Sequence, residues 1–181
     1  MEHQPVLIIL AGGKGSRLGA IGAVVLKSLF PVFDEPLLFR QIRQSLKADF
    51  QKIYISTRKE YIEQFRQGIN NFFPNDKNKI IIVENAAHDK GVLYALLNLV
   101  QITGVSEALI SLGDIYFLEN PFLNFKQSSL AEVKVFAMRP QDKRDLSLGG
   151  IVFNQRNKLL KIEKKALKEN VQGLKWLVFF L

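Results

Sequence analysis

Apolar and polar positions alternate in two rhythms along this chain. Short unbroken apolar runs read as strands of a parallel sheet, because a strand covered on both faces has no polar side. Val6 to Leu10 (VLIIL) is the first such run. Between the runs lie stretches whose apolar residues recur every three or four positions, the spacing of an amphipathic helix. PLLFRQIRQSLKADF puts Leu38, Ile42 and Leu46 on one face. A second strand follows at Lys52 to Thr57 (KIYIST), then a helix over EYIEQFRQGINNFF with Ile62, Phe65, Ile69 and Phe72 or Phe73 inward. Lys79 to Asn85 (KIIIVEN) predicts a third strand, and GVLYALLNLVQ a third helix carrying Leu93, Leu96, Leu97 and Val100. Glu107 to Asp114 (EALISLGD) predicts a fourth strand that ends on a carboxylate. The order β-α-β-α-β-α-β predicts an α/β fold, a three-layer α/β/α sandwich around a mostly parallel sheet. The last third changes character: EVKVFAM, GGIVFN and KLLKIEK read as strands joined by short polar segments. LKWLVFFL reads as a further strand with an exposed, sticky edge. No long linker, repeat or low-complexity tract interrupts the 181 residues, so a single domain over 1–181 is expected.

Composition narrows the function classes. Hydrophobic residues make up 48% and charged residues 23%, which argues for an ordinary folded domain and against disorder. The absence of cysteine excludes disulfides, a thiolate metal site and a cysteine nucleophile. No apolar run is long enough to span a bilayer, and Met1 to Pro5 lacks the layout of a signal peptide, so a cytoplasmic protein with no membrane partner is expected. The net charge of +8 suits a substrate that carries several phosphates. The basic residues are spread along the chain except in KIEKKALK (Lys161 to Lys168), which reads as a solvated face. A nucleic-acid-binding domain would show a recognition motif beside its charge, and none is present. The two histidines, His3 and His88, read as surface residues.

The candidate chemistry starts at LIILAGGKGSRLG, Leu7 to Gly19. In open α/β sheets ligands bind at the carboxyl ends of the strands. The glycine loop follows the first strand and Asp114 ends the fourth, so both are expected to face one crevice. A P-loop would need Gly-Lys-Ser in succession, and Gly13-Lys14-Gly15-Ser16 does not supply it. A dinucleotide fingerprint would place its third glycine at Leu18, one residue before Gly19, and would end strand two on an acid where Thr57 stands.

LAGGKGSRLG followed by KSLFPVFDEPLL resembles the sugar-phosphate nucleotidyltransferase family, whose arginine and lysine stand about ten residues apart as Arg17 and Lys27 do here. Ser16 replaces the usual threonine and keeps its hydroxyl. GVLYALLNL (Gly91 to Leu99), ISLGDIYF (Ile110 to Phe117) and GGIVFNQRNKLLKIEKK (Gly149 to Lys165) resemble three further family segments, in the family's order. The resemblance implies a Rossmann-like, GT-A-like nucleotide-diphospho-sugar transferase fold. It implies that an NTP and a phosphorylated sugar or alcohol react with Mg²⁺ as cofactor. The nucleotide would lie against Leu10, Ala11, Gly12, Gly13, Gly15, Ser16, Arg17 and Gly91. Arg17, Lys27 and Asp114 would be catalytic, with Asp114 the metal ligand. Gly149, Glu163 and Lys164 would contact the second substrate. The chemistry suits these residue types. The nucleophile is an anion already, so no general base is needed and scarce histidine is no obstacle. Two phosphate charges about 5 Å apart repel by roughly 3 kcal/mol at an effective dielectric near 20, so cations must dominate such a site. Glycines admit phosphate to backbone N–H groups. Arginine offers a planar fork, lysine a point charge and aspartate a hard-cation ligand.

The chain departs from the family pattern at four places. Leu26 and Ser28 flank Lys27 where the family has prolines. Val92 stands where a threonine helps bind nucleotide. HDKGVLYALLNL also resembles phosphocholine cytidylyltransferase-like members, which leaves the acceptor open. The family's second metal-binding aspartate would follow a later strand, and no Asp occurs after Asp145. The expectation is a shortened member lacking the usual C-terminal part, or one copy of a homo-oligomer. Two functions from different classes follow: a nucleotidyltransferase, or a catalytically weak nucleotide-binding relative with a regulatory or scaffold role.

Overall fold

A computed structural model describes residues 6–13, 15 and 18–124, together with the strand backbones of 134–138, 150–155, 158–164 and 176–180. The chain divides into two compact units, 1–130 and 131–181.

The first unit is built on four parallel strands: β1 (Val6–Leu10), β4 (Lys52–Thr57), β5 (Ile80–Glu84) and β6 (Leu109–Leu112). Their order across the sheet is β5-β4-β1-β6. β1 pairs with β4 from Val6↔Lys52 to Leu10↔Ser56 and with β6 from Leu7↔Leu109 to Leu10↔Leu112. The chain steps one way from β1 to β4 to β5, then returns past its start to lay down β6. Right-handed crossovers therefore put the last helix on the opposite face from the earlier two. That is the arrangement found. Helix α2 (Leu37–Leu46) and helix α3 (Ile62–Phe72) touch through Phe39, whose ring meets Phe72 and Phe73. Helix α4 (Val92–Thr103) covers the other face, with Leu96 and Leu99 packed among Ile8, Leu10, Tyr54, Val83 and Ile110. The reversal of direction at β1 opens a crevice beyond the carboxyl ends of β1 and β6.

Several boundaries differ from the sequence reading. The third strand stops at Glu84, because the Asn85 side chain turns the chain away by accepting from Ala87 N. The fourth stops at Leu112, which leaves Asp114 in the following turn. On α4 the buried residues are Ala95, Leu96 and Leu99, whereas Leu93, Leu97 and Val100 are exposed. That helix is apolar on all sides, so its periodicity could not choose the inward face. Phe73 rather than Phe72 is buried. Short elements that the pattern did not show lie before α2: helix α1 (Ala20–Val24), and a hairpin of β2 (Pro31–Val32) with β3 (Glu35–Pro36).

In the second unit β7 (Lys134–Met138) pairs antiparallel with β10 (Trp176–Phe180), and β8 (Gly150–Gln155) pairs antiparallel with β9 (Lys158–Lys164) through a register shift at Phe153/Asn154. The terminal apolar run is joined to β7 along the whole length of β10, on one of its two edges.

Candidate functional site

The floor of the crevice is the chain leaving β1. Ala11 N donates to Ser56 O (2.8 Å) and Leu10 O accepts from Gly113 N (2.9 Å), so the loop stays tied to both neighbouring strands. Gly12 is held from below by the buried Arg58, whose Nε donates to its carbonyl at 2.7 Å. The same guanidinium bonds Asp89 through Nη1 at 2.7 Å, which raises its pKa further and clamps the Gly12 loop to the turn Ala86–Lys90. A Cβ on Gly12 would come within 2.3 Å of the His88 ring, so only glycine lets that imidazole lie against the loop.

One wall brings together residues far apart in sequence. Lys27 opens a short 3-10 turn, Lys27–Leu29, and its Nζ pairs with Asp114 Oδ2, 87 positions away. The side chains are 43% and 30% exposed, so solvent and ligands reach the pair. The Asp114 turn is fixed by Gln41 of α2, a fully buried side chain. Its Nε2 donates to Leu112 O (2.9 Å) and Ile115 O (2.8 Å), and its Oε1 accepts from Ser111 Oγ at 2.8 Å. Beside Lys27 the Ser28 hydroxyl is buried and has no hydrogen-bond partner among the described residues. A buried hydroxyl left unpaired by protein groups needs another partner, such as a water.

The opposite wall was missed by the sequence reading, which took His88 for a surface residue. The ring is half-buried, and its Nε2 lies 3.0 Å from Ser56 Oγ. Burial, aided by the nearby Arg58 charge, lowers its pKa below the usual imidazole range, while a hydrogen bond to the Ser56 backbone and the Asp89 charge oppose this. The clue available in the sequence was its place in HDKG, three residues before the flagged Gly91. Gly91, at φ 103, begins α4. The sharp turn there needs a residue without Cβ.

The result is a cleft of about 200 Å³. Of the residues singled out from sequence, Leu10, Ala11, Gly12, Gly13, Lys27, Gly91 and Asp114 line it, joined by His88, Ser28 and Val92. Gly15 does not line it: at φ +64 its carbonyl accepts from Leu18 N and closes a turn. Ser16, Arg17, Gly149 and His3 lie outside the described residues. Glu163 and Lys164 belong to β9 of the second unit, paired with Ile151 and Gly150. Among the described residues no group of three or more His, Cys, Asp or Glu is gathered as for a metal. One reachable carboxylate still fits Mg²⁺, which commonly takes one or two protein carboxylates and completes its shell with phosphates and water. No helix among the described residues is long and apolar enough to cross a membrane.

Comparison with known proteins bears on this cleft. The glucose-1-phosphate thymidylyltransferases of Neisseria meningitidis serogroup A and Neisseria gonorrhoeae are 27% and 26% identical over 161 residues, covering 87% of this chain and 54% of each relative. The chain thus spans about half the length of these curated relatives. Among solved structures, the CTP:phosphocholine cytidylyltransferase of Streptococcus pneumoniae matches 98% of this chain and 71% of its own, with TM-score 0.72 and 19% identity. The inositol-1-phosphate CTP transferase of T. maritima matches 98% and 67%, with TM-score 0.69 and 21% identity. At these identities the structures establish the fold, an α/β nucleotidyltransferase fold of GT-A-like type. The family model for the MobA-like NTP transferase domain matches residues 7–175, and the chain belongs to that family.

Proposed function

We propose that the chain transfers a nucleotidyl group from an NTP to a sugar 1-phosphate or a related phosphomonoester, with release of pyrophosphate. The observation that carries this reading is the meeting of Lys27 and Asp114 beside a glycine-floored cleft at the sheet's switch point. A phosphomonoester oxygen attacks the α-phosphorus. The bond from that phosphorus to the bridging oxygen breaks, and the electron pair leaves with pyrophosphate. Gly13, with open space where a Cβ would stand, leaves room for the phosphates to approach the backbone, and the buried Ser28 hydroxyl is a further donor. Lys27 gives its charge to the α-phosphate, and Arg17 is assigned as a second cation. Asp114 would hold Mg²⁺, which neutralises phosphate charge when bound. Gly91 is assigned to the nucleotide, and Gly149, Glu163 and Lys164 to the phosphomonoester. No cysteine needs an oxidising compartment, and we place the reaction in the cytoplasm.

The test is exchange of labelled pyrophosphate into each NTP, with Mg²⁺ and a panel of sugar 1-phosphates and phosphorylated alcohols. Exchange in one combination, reduced about 10²–10³-fold by Lys27→Met, is expected. No exchange in any combination, with NTP binding intact, would favour the nucleotide-binding relative. The observation on that side is that Lys27 already occupies the Asp114 oxygen, so a cation must displace it.

A further inference from the structure

Where β1 runs out, one backbone donor is turned loose. Leu10 O accepts from Gly113 N on the β6 side at 2.9 Å, and Ala11 N donates to Ser56 O on the β4 side at 2.8 Å. The Ala11 carbonyl also faces β4, where it accepts from Thr57 Oγ1 at 3.4 Å. Successive residues of a central parallel strand bond to alternate neighbours, so the Gly12 carbonyl would next turn toward β6. It turns the other way. Arg58, the residue after β4, takes it through Nε at 2.7 Å. The peptide between Gly12 and Gly13 is trans, so its N–H points opposite to its C=O. The Gly13 N–H therefore faces away from Arg58, and it has no hydrogen-bond partner among the described residues. Gly13 is exposed, lines the cleft and has open space where a Cβ would stand, whereas Arg58 is buried and does not line the cleft.

Arginine suits this task. A buried guanidinium needs an anion, and Asp89 supplies one to Nη1 at 2.7 Å. The planar fork then fixes the direction from which Nε donates to Gly12. A charged donor on the Gly12 carbonyl also polarises that peptide, and hydrogen bonds in series strengthen one another, so the Gly13 N–H becomes the better donor. We propose that Arg58 is a positioning residue that holds the Gly12–Gly13 peptide with the Gly13 N–H turned into the cleft, where it donates to an oxygen of the bound NTP. Arg58 acts through this peptide and does not touch the nucleotide. The inference rests on the reading that the cleft takes an NTP.

Two measurements test it. In ¹H–¹⁵N spectra of the labelled wild type, the Gly13 amide proton is expected to move downfield as Mg²⁺ and the best-bound of the common NTPs are titrated in, the signature of a hydrogen bond gained. This arm needs no variant. Titration calorimetry with the same nucleotide is expected to show Arg58→Met, which keeps an unbranched stem and loses the donor, at least about tenfold weaker, the scale of one hydrogen bond to a charged group. Its Gly13 shift at saturation should shrink as well. Asp89→Asn leaves Nε on the Gly12 carbonyl, so it should keep the Gly13 shift and lose no more than about fivefold in affinity, the usual worth of an ion pair with an exposed partner. Urea denaturation finds the conditions under which each variant is folded. A Gly13 amide that stays put in the NTP-saturated wild type would overturn the assignment. So would a folded Arg58→Met with the wild-type affinity and Gly13 shift, since Arg58 would then be a stabilising residue only. An Asp89→Asn loss as large as that of Arg58→Met would overturn it in favour of the ion pair. Failure of every NTP to bind the wild type would overturn the proposed function and this inference together.

Discussion

At the scale of single residues, the cleft depends on two contacts that tolerate little change. Gly12 faces the His88 ring so closely that a methyl group cannot be added without moving one of them. Gly12→Ala is expected to cost about 1–3 kcal/mol, the usual range for overpacking. A urea titration would measure the loss, and a shift of the His88 ring signals would show where the strain went. The buried imidazole also sets a pH dependence. Its folded pKa lies below the usual imidazole range, chiefly through desolvation, which outweighs a hydrogen bond to the Ser56 backbone; Arg58 lowers it further and Asp89 raises it. The unfolded chain therefore takes up this proton first as pH falls. Stability contributed by the neutral ring is intact above about 6.5 and is lost as pH drops from there through the folded pKa. Urea midpoints between pH 7.5 and 5 should fall in the wild type, and fall less in His88→Phe. Equal slopes would mean that the ring is not desolvated in solution.

At the scale of elements, the Asp114 carboxylate is presented by a turn, and the turn is held by a helix. Gln41 reaches from α2 to two carbonyls around Asp114 and to Ser111. Gln41→Ala removes these bonds in a buried setting, where each unsatisfied polar group costs about 1–3 kcal/mol. A loss of about 2–4 kcal/mol is expected by urea denaturation. Because the same side chain positions the turn, Mg²⁺-dependent NTP binding should weaken as well. Calorimetry under conditions where the variant is folded separates the two effects: unchanged Mg²⁺ dependence would make Gln41 a stabilising residue only. On the other side of the sheet, Arg58 plays the corresponding part by joining the Gly12 loop to the turn that carries His88. Both walls of the cleft are thus set by buried polar side chains that do not line it themselves.

At the scale of the whole molecule, a nucleotide that binds only the folded chain must stabilise it. At a hundred times its Kd, an NTP with Mg²⁺ is expected to add about 2.7 kcal/mol, read as a raised urea midpoint. Asp114→Asn should remove the Mg²⁺-dependent part of that gain. A gain that is the same with and without Mg²⁺ would argue against a metal role for Asp114. Much of this architecture was legible beforehand. The βαβ alternation follows from hydrophobic period alone, which local covalent geometry dictates, and the family resemblance pointed to the glycine loop, Lys27 and Asp114. Three things were not legible. The inward face of α4 was hidden because that helix is apolar all round. The burial of His88 was hidden because a lone histidine in a polar turn carries no local signal of it. The pairing of β10 with β7 was hidden because strand pairing is a non-local choice. The sequence by itself determined which of the longer segments are strands and helices, since a residue's period and its neighbours along the chain suffice for those. Only the tertiary structure decided that Lys27 meets Asp114 and that His88 lies on Gly12. Those contacts arise from strand order, which folding selects by burying surfaces that sequence neighbours do not share.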